Sequence, residues 1–297
     1  MSKKQQTQQI WQEYITYLTK TQQSGPTQIK GKTRVLKAFG CHLQKTGVEL
    51  TSINIEHVDN FLKMFNSSYS KTTQRLYRSY LRCFLRYLYN ERNLIRQNLA
   101  DLLIGPPMFA KAKPPQFLRP GEVHQLFERL PHSTACELRT YAQVYLAYYL
   151  GLRPIEISRI TLDDISFTKG LLSLQNRKNN SPLQLPIPED TLKAITVYII
   201  GGRPKSQYRY LFLIFWPDPT PMSANLVGYY LTKALKGAGL PGTAYWLRHT
   251  FAQNMLESGA RIFDIKEMLG HDSIESSRQY LSIHTTLMRR VLFNETI

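Results

Sequence analysis

The 297 residues are 42% hydrophobic and 11% aromatic, enough apolar material for two packed cores and too much for a disordered chain. Lys and Arg number 38 against 21 acidic residues, and the surplus of 17 positive charges attracts a polyanion, whether DNA, RNA or an anionic membrane. Apolar runs no longer than residues 211–216 and 195–200, a start (MSKKQQTQQ) without an apolar signal core, and three scattered cysteines (Cys41, Cys83, Cys136) speak against a bilayer span, a secretory leader, a disulfide framework and a zinc site.

The expectation is therefore a cytoplasmic protein whose charge meets a nucleic acid. That charge is uneven: residues 1–113 hold 18 basic and 6 acidic side chains, the remainder 20 and 15, so the N-terminal part is the stronger electrostatic clamp.

Along the chain, the first hundred residues read as helix throughout, with Gly, Pro or Ser punctuation near positions 25, 47 and 67. In residues 71–89, Leu81, Leu85 and Leu88 share one face, while Arg75, Arg78, Arg82 and Arg86 recur at steps of three and four, with Lys71 one turn earlier. No acid stands four residues away to pair these arginines, so the stripe repels itself; DNA contact is the expected use, a solvated basic face the alternative.

Residues 104–120 concentrate prolines, which cannot continue a helix and extend the residues before them, and read as a linker. The expected division is a DNA-binding domain at 1–104, a linker at 105–120 and a second domain at 121–297. In the second domain, residues 135–150 read as a helix ended by Gly151, after which Pro154 opens a short helix. Residues 171–177 and 183–187 alternate like a β-hairpin around KNNSP. Helices follow near 190–200, 223–236, 248–258 and 262–269, the last two closed by Gly259 and Gly270, with a short one after Thr285.

Three segments carry chemistry: GLRPIEISRI around Arg153, the hairpin with Arg177 and Lys178, and residues 245–280, from Tyr245 to Tyr280. Singly, each residue is more often structural. Together, two arginines, a lysine, a histidine and a late tyrosine are the parts of a phosphoryl transfer that uses no metal. A phosphodiester gathers charge on its non-bridging oxygens in the transition state, and guanidinium forks match those oxygens bidentately. A Tyr hydroxyl with a pKa near 10 needs cations nearby to attack as phenolate.

The run LRHTFA, a helix ending in SGA, then MLGH and a Tyr nine residues after that His resemble the C-terminal signature of the tyrosine recombinases and phage integrases. The likeness extends through GLRPIE, the hairpin and an N-terminal helical domain of the expected size. The resemblance implies that Arg153 and Arg248 clamp the phosphate, His271 is its third ligand and Tyr280 the nucleophile. It also implies that Lys178, in preference to the neighbouring DNA-contacting Arg177, protonates the departing 5′ oxygen, and that Glu156 supports the site.

One position departs from the pattern. The family commonly carries His three residues before the second arginine, where this chain has Tyr245. A phenol is a poor base at neutral pH, so Tyr245 is read as a hydrogen-bond donor to the phosphate, with a buried aromatic beside Trp246 and Leu247 as the alternative.

The implied fold is mainly α with a small β component: a helical core-binding domain and a mixed α/β integrase-type catalytic domain, closing as a C-shaped clamp on DNA. The resemblance further implies no cofactor, neither ATP nor metal, because the broken bond's energy stays in the 3′-phosphotyrosine. The implied partners are a double-stranded recombination site, three further protomers in a tetramer on paired sites, and accessory DNA-bending factors, with the protein at the nucleoid. Leu287, Val291 and Leu292 share a face of a tail helix that could dock on a neighbouring protomer or on its own. Two alternatives stand beside this reading: a helix-turn-helix regulator built on residues 248–269, which would not need Arg153, Lys178 and Tyr280 together, and a type IB topoisomerase. Integration, excision, transposition, inversion and resolution share one catalytic kit.

Overall fold

The computed structural model describes residues 3–22, 25–105, 115–174 and 183–270. It divides into two compact units, residues 1–109 and 110–297. Mainly helical with one small sheet, it has the expected fold class. Among the described residues no helix is long and apolar enough to cross a membrane.

The first unit is built from α1 (Lys3–Lys20), α2 (Pro26–Thr46), α3 (Ile55–Phe65), α4 (Lys71–Asn90) and the short α5 (Leu99–Leu102). Local chemistry sets their ends. Pro26 opens α2, where its missing N–H costs nothing, and Gly47 closes it in the left-handed region at φ 69°. The Asn54 side chain accepts from the His57 N–H at the start of α3, and Ser70 caps α4 in the same way. Tyr14 and Leu18 of α1, Leu36 and Phe39 of α2, Phe61 and Leu62 of α3, and Leu81, Phe84, Leu85 and Leu88 of α4 bury together as the core.

The second unit runs α6 (Pro120–Glu128), α7 (Ala135–Tyr149), α8 (Pro154–Arg159), β1 (Ile165–Ser166), β2 (Leu171–Leu174), β3 (Leu183–Pro186), α9 (Glu189–Gly201), α10 (Ala224–Gly237), α11 (Ala244–Glu257) and α12 (Ile262–Leu269). The strands form an antiparallel sheet in the order β1-β2-β3, with Leu171 opposite Pro186 and Leu174 opposite Leu183. β1 was not expected: two residues are too few to show alternation. Leu118, inside the stretch expected as linker, is buried in this unit's core, and its N–H donates to Thr250 Oγ1 of α11. Arg139 is fully buried on α7, donating to the Leu213 carbonyl between the rings of Phe215 and Tyr230, and so ties α7 to the 211–215 segment and α10.

α11 starts four residues earlier than expected. Pro241 and Gly242 stop any helix before it, Thr243 is extended at the N-cap, and burial of Ala244 and Leu247 one turn apart draws Tyr245 and Trp246 into the first turn. α11 and α12 are then joined through the left-handed Gly259 and pack by Phe251, Ala252 and Leu256 against Ile265 and Leu269. At roughly 1.5–3 kcal/mol for each fully buried aliphatic or aromatic side chain, this seam is what holds the C-terminal end of α12 beside Arg248.

Candidate active site

Arg153 and Arg248 lie 95 positions apart in sequence and meet on one carboxylate. Arg153 is the N-cap residue of α8, with Pro154 at the first helical position and Glu156 at the third. Glu156 Oε2 accepts from the Arg153 backbone N–H at 2.7 Å, which fixes the acid over the helix start and turns Oε1 to the Arg153 guanidinium at 3.0 Å. From α11, Arg248 Nη1 reaches Glu156 Oε2 at 3.6 Å. Glu156 and Arg248 are only 7% and 4% exposed, whereas Arg153 is 21% exposed, so the second arginine is a core residue and the first reaches the surface.

Backbone carbonyls complete the arrangement. Arg248 donates to Gly151 O at the end of α7 and to Leu269 O at the end of α12, and Arg153 Nη2 donates to Gly270 O at 3.0 Å. None of these contacts shows in the sequence, because a carbonyl has no letter. Chemically, the arrangement brings two guanidinium forks together around a single acid, with Gly270 leading directly into residue 271.

Tyr245 stands on α11 one turn before Arg248 and is 53% exposed, so it is not the buried aromatic of the alternative reading. His249, four residues after Tyr245 and therefore on the same face, stands in the sequence only as one letter of the LRHTFA run. Burial, and then the charge of Arg248, lower its pKa from 6.5 to about 4. The folded chain thus binds fewer protons at this site than the unfolded chain between pH 6.5 and 4, and its stability falls as pH drops through that window. Thermal melts across that range are expected to show a shallower fall for His249→Gln; an unchanged slope would remove His249 as the cause.

Residues 116–286, more than half of the chain, match the sequence model of the phage integrase family. The chain belongs to that family. Tyrosine recombinase XerC of Lacticaseibacillus casei is 25% identical over 278 residues, which cover 90% of this chain and 91% of that relative. A putative integrase/recombinase of Sinorhizobium fredii, y4rF, is 28% identical over 254 residues, 82% of this chain; the match spans only 59% of that longer relative. Among solved structures, the XerH site-specific recombinase bound to a palindromic difH substrate in a post-cleavage complex superposes with a TM-score of 0.77 at 18% identity, covering 97% of this chain and 85% of that one.

The remaining site expectations for this member of the phage integrase family divide in two. Arg177, Lys178, His271 and Tyr280 lie outside the described residues. The α4 stripe is described, and most of it is engaged: Arg78 Nη1 donates to Ile104 O at 2.7 Å, Arg82 to Leu103 O, and Arg86 faces Asp101 at 3.7 Å. The acid and acceptors, absent four residues either side on α4, come from α5 and the two residues after it. Lys71 and Arg75 are exposed.

The helix-turn-helix alternative would read DNA with α12, but that helix carries no net positive charge to draw it to phosphate: Arg261 at its N-cap is paired with Asp264, and Lys266 adjoins the exposed Glu267.

Proposed function

We propose that this phage integrase family member is a site-specific DNA recombinase that cleaves and rejoins duplex DNA through a 3′-phosphotyrosine on Tyr280. What carries the reading is the meeting of Arg153 and Arg248 on Glu156, with Gly270 leading into His271. Tyr280, its hydroxyl proton lost to solvent as the surrounding cations favour the phenolate, attacks phosphorus, the bond to the 5′ oxygen breaks, and Lys178 supplies the proton to that leaving oxygen. Attack by a 5′-hydroxyl from the partner strand reverses the step and releases Tyr280. Arg153, Arg248 and His271 stabilise the charge on the non-bridging oxygens, and Tyr245, exposed beside Arg248, adds a hydrogen bond to the phosphate. Strand exchange between two sites uses four protomers, with accessory DNA-bending factors, in the cytoplasm at the nucleoid.

The test uses duplexes that the protein itself selects from a randomised pool, rebuilt with a nick beside the scissile phosphate so that rejoining fails. Unmutated protein is expected to give a denaturant-stable protein–DNA adduct. Tyr280→Phe is expected to bind the same duplex and give none, because phosphate contacts set affinity. Adduct from the Phe variant at the unmutated rate overturns the assignment.

The first unit carries the larger net positive charge. Arg75, exposed on α4, is proposed as a phosphate contact with Lys71; Arg78, Arg82 and Arg86 add their remaining donors while holding residues 101–104. Arg75→Gln is expected to reduce the slope of log affinity against log salt by about one, the loss of one phosphate contact. An unchanged slope would make Arg75 part of a solvated face.

A further inference from the structure

Four helices of the second unit end on glycines in the left-handed region, and two of them, α7 before Gly151 (φ 61°) and α12 before Gly270 (φ 59°), end at the arginine site. A residue without Cβ turns the chain out of a helix there at no steric cost. The carbonyls of these two glycines go to the two arginines of the site, and the contacts are crossed. Gly151 lies two residues before Arg153 but accepts from Arg248; Gly270 follows α12, which packs on the helix of Arg248, but accepts from Arg153.

We propose that Gly151 and Gly270 are positioning residues, whose left-handed turns aim carbonyl oxygens that fix the planes of the Arg248 and Arg153 guanidinium groups for the scissile phosphate. A long side chain meets two phosphate oxygens bidentately only if its terminal plane is stopped in one orientation. Glu156 already offsets one charge of the arginine pair, and a second carboxylate would cancel the other, which the transition state needs. A carbonyl at a helix C-terminus carries only part of a negative charge, so it orients the fork and leaves the clamp cationic. Gly151 has a second constraint: a Cβ there would sit 2.4 Å from Phe251 Cδ1, and Phe251 lies on α11 three residues after Arg248. Any side chain at 151 would therefore push the helix that presents the arginine.

The inference rests on the arginine clamp proposed above, and the experiment separates the two. Full-length Gly270→Ala, Gly270→Asn and Gly151→Ala are compared with unmutated protein on two nicked duplexes, one with the ordinary scissile phosphodiester and one with a methylphosphonate there. The methylphosphonate has a methyl group in place of one charged oxygen and depends less on the clamp. Gly270→Ala is expected to cleave the phosphodiester about 10²-fold more slowly. DNA affinity should stay within about threefold, since it is spread over many phosphate contacts. Cleavage of the methylphosphonate relative to the phosphodiester should rise. Gly270→Asn is expected to recover most of the rate, because Asn tolerates the left-handed region. Gly151→Ala should change the ratio in the same direction, and if the Phe251 clash prevents folding, the Gly270 pair decides alone. Equal slowing on both substrates, or unmutated rates for Gly270→Ala, overturns the inference while leaving the clamp; absence of adduct from unmutated protein on either duplex overturns the clamp reading itself.

Discussion

Arg248→Ala is expected to lose rate and stability together. As a proposed donor to the transition-state phosphate it contributes about 10²–10³-fold to cleavage, the usual range for one preorganised donor. As a residue only 4% exposed it also holds Gly151 O, Leu269 O and one side of Glu156. Each buried carbonyl left without this donor costs about 1–3 kcal/mol. Glu156 keeps Arg153, so it does not become an orphaned charge, and the loss stays below the roughly 3–5 kcal/mol of a fully broken buried pair plus its carbonyls. Arg153→Ala, at a side chain 21% exposed with one carbonyl partner, should cost a similar factor in rate and less in stability. Urea melts and single-turnover cleavage of the two variants check this. A larger stability loss for Arg153→Ala than for Arg248→Ala would show that the burial argument assigns the two arginines wrongly.

The second large effect belongs to Lys178. As general acid for the 5′ oxygen, its removal in Lys178→Ala should slow cleavage of an ordinary phosphodiester by roughly 10²–10⁴-fold. A 5′-bridging sulfur leaves without needing a proton, so the variant should cleave that substrate nearly as fast as unmutated protein. Rescue of Arg177→Ala in place of Lys178→Ala would move the acid to the neighbouring hairpin residue.

Much of the site's frame was legible because local rules govern it. Pro154 after Arg153 and Glu156 three residues later spell a helix start with a reciprocal cap, and the structure has α8 there. Gly259 and Gly270 mark the ends of α11 and α12, where left-handed turns occur. Three features were not legible, each for a physical reason. The start of α11 depends on the burial of Ala244 and Leu247, a tertiary fact that overrides the weak helix propensity of Tyr245 and Trp246. The arginines of α4 find their partners in α5 and the residues after it, 15 to 26 positions away, beyond any helical spacing. The carbonyls that hold Arg153 and Arg248 are backbone groups, which every residue but their geometry makes alike.

The most direct test of the account is where the DNA is attached. The adduct formed on a nicked site is digested with trypsin and nuclease, and the phosphonucleotide-bearing peptide is sequenced by mass spectrometry. The account predicts a single modified peptide, with the mass on Tyr280 and the DNA joined through its 3′ phosphate. Modification of Tyr245 or any other residue, or attachment through a 5′ phosphate, would contradict it.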